Sequence, residues 1–201
     1  MKHSIDLVEL KRSIRKEKIR WRNALPSEEA RAKSAQIAAT LKSLPEYANA
    51  KTILFYVSAK GNEVDTHSLI RDALAKGVKA LVPVTDFVNN HLIVSELKDM
   101  GELVTVKFGL LEPRPDAVRP TDPAEANVII VPGVAFDRHC RRIGFGGGYY
   151  DRLLVNSLVP SIALAYEGQL VDRVPADSHD IPVSILITEQ RTYRAPQMDK
   201  S

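Results

Sequence analysis

The sequence predicts an α/β fold: a single domain over residues 1–201, with a mostly parallel sheet flanked by helices. Three observations carry that prediction. Residues 53–84 read as strand, helix, strand. The run Val128-Ile129-Ile130-Val131 leads through a glycine-rich loop into a helical pattern. Ile162–Ala165 and Ile185–Ile187 are two further apolar runs of strand length. Runs apolar throughout, rather than alternating, belong to strands covered on both faces, as parallel strands between helical layers are. A chain of 201 residues suffices for one substantial core. Its single cysteine, Cys140, excludes an intrachain disulfide and a cysteine-rich zinc site. A net charge of +3 is too mild to argue for nucleic acid. With no apolar leader and no apolar span near ~20 residues, no membrane partner is expected and a cytoplasmic location is.

In chain order, residues 4–24 read as an amphipathic helix, with Leu7, Leu10, Ile14, Trp21 and Leu25 as its core stripe. Lys11, Arg15, Lys18 and Arg22 make a second, cationic stripe. That stripe is either a solvated face or a contact for an anion, whether a nucleotide's phosphates or nucleic acid. Ser27 is the expected N-cap of a second helix, with Glu28 and Glu29 at its positive end, Ile37, Leu41 and Leu44 buried and Pro45 closing it. Ile53–Val57 is a strand ending in the turn 58–62. Leu69, Ile70, Ala73 and Leu74 mark a helix stopped by Gly77, and Lys79–Val84 is the next strand. Asn89-Asn90 turns between two β-rich pieces, and Leu103–Val106 is expected to pair with the segment at 92–94. Residues 109–115 form a stiff connection. From Gln190 the chain is polar, and 190–201 is expected to fray.

The glycine loop carries the chemistry. It runs Phe136-Asp137-Arg138-His139-Cys140-Arg141-Arg142-Ile143-Gly144-Phe145-Gly146-Gly147-Gly148-Tyr149-Tyr150-Asp151. Glycines admit positive φ and bring bare N–H groups to a ligand, a nest suited to phosphate. Arg138, Arg141 and Arg142 add charge and bidentate donors, and Asp151 places a carboxylate where magnesium sits beside a bound phosphate. The loop lacks the lysine of a Walker A motif, and Tyr149 stands where the dinucleotide fingerprint needs a third glycine. Glu167, at about the right distance for a ribose contact, keeps a nicotinamide reading open. Glu63, the loop, Glu167 and His179-Asp180 fall beyond the carboxyl ends of strands, where such sheets bind ligands. Cys140 has no identifiable base partner to activate it.

Four blocks in order resemble the 5-formyltetrahydrofolate cyclo-ligase family, also called 5,10-methenyltetrahydrofolate synthetases. The 131–137 segment with Arg142-Ile143-Gly144 and Gly146-x-Gly148-Tyr149-Tyr150-Asp151 is similar to its signature. Lys11-Arg12-Ser13-Ile14-Arg15 is similar to its basic ATP-contacting motif, Glu63-Val64-Asp65-Thr66 to its folate-side motif and 109–113 to its mid-chain turn. His179–Val183 with Thr188-Glu189 is similar to its C-terminal block. The resemblance implies the fold shared with CoA-transferases and sugar-phosphate isomerases. It also implies ATP as co-substrate, Mg2+, and 5-formyltetrahydrofolate, with or without a polyglutamyl tail. A monomer without nucleic acid is expected.

Carried over by position, the resemblance implies ATP contacts at Lys11, Arg12, Ser13, Ile14, Arg15, Arg142, Ile143, Gly144, Phe145, Gly146, Gly147, Gly148, Tyr149 and Tyr150. It implies folate contacts at Val57, Glu63, Phe108, Phe145, Gly146, Gly147, Gly148 and Tyr149. Arg142, Tyr150 and Asp151 are the implied catalytic residues, and Asp151 and Asp180 the implied magnesium ligands. Cys140 stands where the family has glycine, which strains the turn if positive φ is needed. Gly147 stands where some relatives have lysine, so Arg141 is expected to supply that charge. Ser184 stands where an acid is common. A non-catalytic RNA-binding module and an NAD(P)-dependent oxidoreductase remain the alternatives. Glu63 together with Asp180 favours the cyclo-ligase, since neither alternative needs them.

Overall fold

The computed structural model describes residues 2–59, 61–155 and 157–196, with side chains from residue 7 onward. Lys60 of the expected turn and residues 197–201 of the expected tail lie outside them. Three helices lead: α1 (Lys2–Asn23), α2 (Ser27–Ser43) and the single turn α3 (Pro45–Ala48). The strands and helices that follow are β1 (Thr52–Leu54), α4 (His67–Ala75), β2 (Lys79–Asp86), β3 (His91–Leu97), β4 (Leu103–Thr105), β5 (Leu111–Pro113) and β6 (Val128–Val131). Then come β7 (Ala135–Phe136), β8 (Arg142–Ile143), α5 (Tyr149–Leu154), β9 (Ser161–Leu164), β10 (Ile185–Ile187) and β11 (Thr192–Arg194).

The main sheet has seven strands in the order β11-β10-β9-β6-β1-β2-β3. β10, β9, β6, β1 and β2 are parallel; the edges β3 and β11 run antiparallel. The apolar runs behave as their composition dictates, because successive side chains point to opposite faces and both faces are covered. Ile53, Ala80, Val128, Ile130, Ile162 and Ile185 pack with Ile37 and Leu41 of α2 and Leu69 and Ile70 of α4. Leu54, Leu81, Ile129, Val131, Ala163 and Leu186 pack on the other side with Phe136, Cys140 and Leu154.

Several expectations at element ends are corrected. Ser27 is the first helical residue of α2, and the N-cap is Pro26, which makes no side-chain cap. α5 stops after six residues, and Leu158, which continues its helical pattern in the sequence, lies beyond it and is 90% exposed. β4 pairs with β5, not with the segment at 92–94, which instead pairs with β2. The stiff connection therefore supplies a strand. The polar tail does not fray over 192–194: Thr192, Tyr193 and Arg194 pair with β10, and Arg194 Nη1 bonds Glu46 Oε1 at 2.7 Å.

The largest correction concerns α1. Leu10, expected in the core, is 51% exposed, whereas Arg22 is 3% exposed. The cationic stripe is a packing face. Lys18 Nζ donates to the Gly168 carbonyl at 3.2 Å and Arg22 Nε to that of Gly61 at 2.9 Å. Trp21 lies so close to Gly168 that an added Cβ there would meet its ring at 2.1 Å. Stems of long basic side chains cover apolar surface well, so periodicity of leucines alone misassigns such a helix.

Within the excursion from β3 to β6, Arg119 Nη1 and Nη2 donate to Glu102 at 2.9 and 2.7 Å, while its backbone N–H donates to Ser95 Oγ of the edge strand at 2.8 Å and its carbonyl accepts from Glu96 N–H at 3.0 Å. This fork holds the Glu102 carboxyl down to about 2 from an ordinary 4.5. The folded state therefore binds fewer protons here, and the stabilisation is present above pH 4.5 and lost as pH falls toward 2. Glu102→Gln is expected to cost about 1–2 kcal/mol at neutral pH, discounted for the partly exposed Arg119. Urea unfolding at pH 7 and pH 3 checks it: the deficit shrinks at the lower pH if the carboxylate carries the effect.

Candidate functional site

β2 leaves β1 toward one edge of the sheet, and β6, β9 and β10 lie toward the other, so the order reverses between β1 and β6. Loops leaving the carboxyl ends of two such strands diverge and open a crevice. A cavity of about 880 Å³ occupies it. The loop after β1 contributes Tyr56, Val57 and Glu63, and the loop after β6 contributes Pro132 and residues 142–151. α1 lays Lys11, Arg12 and Arg15 along it, the excursion adds Phe108, Leu110 and Glu112, and Asp180 arrives from beyond α5.

The glycine loop is built on the β7–β8 hairpin. Asp137, fully buried, accepts from the N–H groups of His139 (2.9 Å), Arg141 (3.1 Å) and Val174 (3.0 Å), which fixes the turn. Cys140 takes φ +63°, the left-handed conformation that the expected glycine would accept without strain. Its thiol is buried and pushed up to about 11 by burial and the nearby Asp137 charge, so it is not an activated nucleophile. Gly146 and Gly148, at φ +109° and +65°, then turn the chain so that the loop faces the cavity.

Arg142 is the buried cation of the site. Its Nη2 donates to Asp151 Oδ1 at 2.8 Å, and that oxygen also accepts from Ile181 N–H at 3.2 Å. Among the described residues, its Nε and the hydroxyl of Tyr150 are sealed from solvent without a hydrogen-bond partner. Burial lowers the Arg142 pKa and raises that of Tyr150, so the phenol stays protonated. Buried donors left unpaired on a cavity wall are costly and suit a ligand that supplies acceptors. Arg15 Nε donates to the Gly144 carbonyl at 2.8 Å, clamping α1 on the loop. Lys11 Nζ pairs with Asp177 Oδ2 at 3.0 Å and with Asp180 Oδ2. Glu63 accepts from Ala59 N–H at 3.0 Å and faces Arg22 Nη1 at 3.8 Å.

Most of the sequence-derived site thus converges, with specific exceptions. Ser13 faces solvent, and Ile14 packs against Ala135, Ile143 and Val174. Arg141 lies in a separate 300 Å³ cleft with His139, Asp172 and Arg173 and cannot replace a charge at Gly147. The cation beside Gly147 is Arg152, whose Nη2 bonds its carbonyl at 2.8 Å. Arg138 does not line the cavity either. Glu167 is engaged by Thr188 Oγ1 (2.6 Å) and the Tyr193 hydroxyl (3.0 Å) away from the cavity, which removes the ribose contact. The His179 side chain is 93% exposed and also outside it. Ser184 hydrogen-bonds Ser161 between β9 and β10, far from the chemistry in role. With Arg22 buried and Lys18 half-buried against the Gly168 carbonyl, the stripe presents no continuous surface to RNA.

Sequence reasoning gave no site role to Phe87, Thr85 and Glu112, which line the cavity. Glu112 is buried on the cavity wall and accepts from Thr85 Oγ1 at 2.6 Å and Thr85 N–H at 3.1 Å. No local pattern marks it, because its partner lies 27 positions away.

The family model described as the 5-formyltetrahydrofolate cyclo-ligase family matches residues 8–189. The chain belongs to that family. The 5-formyltetrahydrofolate cyclo-ligase of Escherichia coli K12 is 30% identical over 176 residues, covering 86% of this chain and 96% of that one. The mouse cyclo-ligase is 27% identical over 190 residues, covering 89% and 93%. The NMR structure of Aquifex aeolicus 5,10-methenyltetrahydrofolate synthetase superposes with a TM-score of 0.81 at 34% identity, covering 96% of this chain and 95% of that one. Among the described residues, no helix is long and apolar enough to cross a membrane.

Magnesium sits on one or two carboxylates, with phosphate and water completing its shell. No group of three or more His, Cys, Asp or Glu side chains that could hold a metal forms among the described residues. Asp151 and Asp180 both line the cavity, and Asp151 bonds the N–H of Ile181, the residue after Asp180. Two carboxylates on one wall fit an ion shared with a polyphosphate rather than an all-protein site.

Proposed function

We propose that the chain is an ATP- and magnesium-dependent 5-formyltetrahydrofolate cyclo-ligase forming 5,10-methenyltetrahydrofolate, ADP and phosphate. The observation that carries this reading is a single cavity combining a cationic glycine-loop wall with an apolar, acid-bearing wall. One space can hold a nucleotide against the other substrate, and ~300–1,000 Å³ is the range of such sites.

The formyl oxygen on N-5 is a poor leaving group, so ring closure needs it activated. In the proposed reaction that oxygen attacks the γ-phosphorus, the bond from phosphorus to the bridging oxygen breaks, and ADP leaves. The lone pair of N-10 then attacks the activated carbon, the carbon–oxygen bond breaks with loss of phosphate, and the N-10 proton is released as the methenyl bridge forms. Such transfer asks a protein for positioning and charge stabilisation. Arg142 and Arg15 would meet the transferring phosphoryl oxygens, with the Arg142 Nε and Tyr150 hydroxyl supplying donors that lack partners among the described residues. Lys11 would turn from Asp180 to a phosphate. Asp151 and Asp180 would hold magnesium, which neutralises phosphate charge when bound. Glu63, with Val57, would accept N–H groups of the pterin, and Phe108 would stack on the folate. Val57 and the buried floor would exclude water from the activated carbon.

Purified protein with ATP, magnesium and 5-formyltetrahydrofolate is expected to raise the near-ultraviolet absorbance of the conjugated methenyl product. No rise at high enzyme concentration, with ATP–magnesium binding confirmed, overturns the proposal.

A further inference from the structure

We propose that Glu112 is a catalytic residue for ring closure: it accepts a hydrogen bond from N-10 of the folate and takes the N-10 proton as the methenyl bridge forms. This rests on the folate reading above, in which that proton has no assigned acceptor. Glu112, in β5, lines the cavity and is only 6% exposed. Its Oε1 accepts from the Thr85 hydroxyl at 2.6 Å and from the Thr85 N–H at 3.1 Å, which fixes the carboxylate against β2. Its Oε2 has no hydrogen-bond donor among the described residues and is not sealed from solvent. No Lys, Arg or His side chain lies within 4.0 Å of either oxygen among those residues.

Burying a carboxylate without a cation is costly. A staple between β5 and β2 needs only a neutral acceptor for the two Thr85 donors, so packing leaves the acid unexplained. One oxygen held by the fold and the other open to a cavity suit a group that receives a proton there. The neighbours select which proton. Of the four described acids that line the cavity, Glu63 is the proposed pterin acceptor and Asp151 and Asp180 the proposed magnesium pair. Glu112 is left, on the wall that carries Leu110, Leu111 and Phe108. Phe108, proposed to stack on the folate, is 65% exposed and marks the outer end of that wall, with Glu112 buried deeper. N-10 joins the pterin to the aryl ring, so with the pterin at Glu63 it passes the wall inside Phe108.

In this step the N-10 lone pair forms the bond to the activated carbon. The carbon–oxygen bond breaks with its electrons on the departing phosphate. The N-10–H bond leaves its electrons on nitrogen as the proton passes to Oε2, and water at the cavity mouth then takes the proton from Glu112. Thr85 is a positioning residue, acting through the oxygen it holds.

The test is single-turnover rapid quench with ATP, magnesium and 5-formyltetrahydrofolate, following ADP and methenyl product separately. It compares the wild type, Glu112→Gln, Thr85→Val and the double variant, with thermal unfolding as a control. Glutamine keeps an acceptor for both Thr85 donors but cannot take the proton. Glu112→Gln is expected to form ADP within about threefold of the wild-type rate and methenyl product about a hundredfold more slowly, the low end of what a positioned proton acceptor contributes. Phosphorylated folate should accumulate in between. Thr85→Val should slow the methenyl step severalfold, and the double variant should be no slower than Glu112→Gln, because Thr85 acts only through Glu112. ADP and methenyl steps that slow together, or a melting shift with both rates intact, make Glu112 a structural staple and overturn the inference while leaving the folate reading in place. Should Glu112→Gln fail to fold, Thr85→Val decides by the same split between the two steps. A wild type that forms no methenyl product overturns the folate reading and the inference with it.

Discussion

Asp151→Asn is expected to lose turnover by about a hundredfold or more while keeping the fold, a barrier increase of about 2.7 kcal/mol. Asparagine keeps an oxygen that can accept from Arg142 Nη2 and Ile181 N–H, the two bonds that Asp151 Oδ1 makes at 2.8 and 3.2 Å. It removes the charge. Arg142, with only 3% of its side chain exposed, then faces the cavity without its counter-ion, and one anionic ligand is lost from the proposed magnesium pair. Some loss of stability is expected too, because a buried guanidinium depends on that carboxylate. Single-turnover kinetics with circular dichroism and chemical unfolding check the split. An unfolded or molten variant would mean that Asp151 is a structural helix-end group; intact turnover would remove it from the chemistry.

The four cations of α1 are expected to divide in two, along a line that their spacing does not show. Lys11→Ala and Arg15→Ala should each raise the ATP KM, since each lost charge-assisted contact costs about 1.5–3 kcal/mol, or roughly ten- to more than a hundredfold. Arg22→Ala should instead destabilise the fold by about 3 kcal/mol or more. It strips the Gly61 carbonyl of its donor at 2.9 Å, Glu63 of the guanidinium at 3.8 Å and the Phe145 ring of a cation at 5.7 Å. Its residual activity should show weakened folate binding rather than weakened ATP binding, because Glu63 is the cavity group it supports. Lys18→Ala loses a bond to the Gly168 carbonyl and should act weakly on both. KM series for the two substrates, with unfolding curves for all four variants, check the pattern. Equal small effects at every position would remove the stripe from nucleotide binding, and a raised ATP KM in Arg22→Ala without lost stability would move Arg22 into the nucleotide site.

The fold class was legible because its signals are local. Val128–Val131, Ile162–Leu164 and Ile185–Ile187 are apolar at every position, and only a strand covered on both faces uses such a run. The glycine loop was legible for the same reason: the positive φ of Gly146 and Gly148 is a property of single residues, and the loop lies between a strand and a helix in sequence as in space. Contacts made between distant segments were not legible. Glu112 needs Thr85 and Arg22 needs Gly61 and Glu63, and each is joined to its partner only after the sheet has formed.

By itself, then, the sequence determined the α/β class, the glycine loop after β6 and most of the residues that converge on the cavity. The tertiary structure alone decided which face of α1 is buried, that Arg138 and Arg141 point away while Arg142 points in, and that Glu167 is engaged by Thr188 and Tyr193. Periodicity reports how often a face recurs, but not what is packed against it. A long basic side chain can cover a core with its stem or meet solvent with its charge, and only the neighbour that it finds across the fold selects between them.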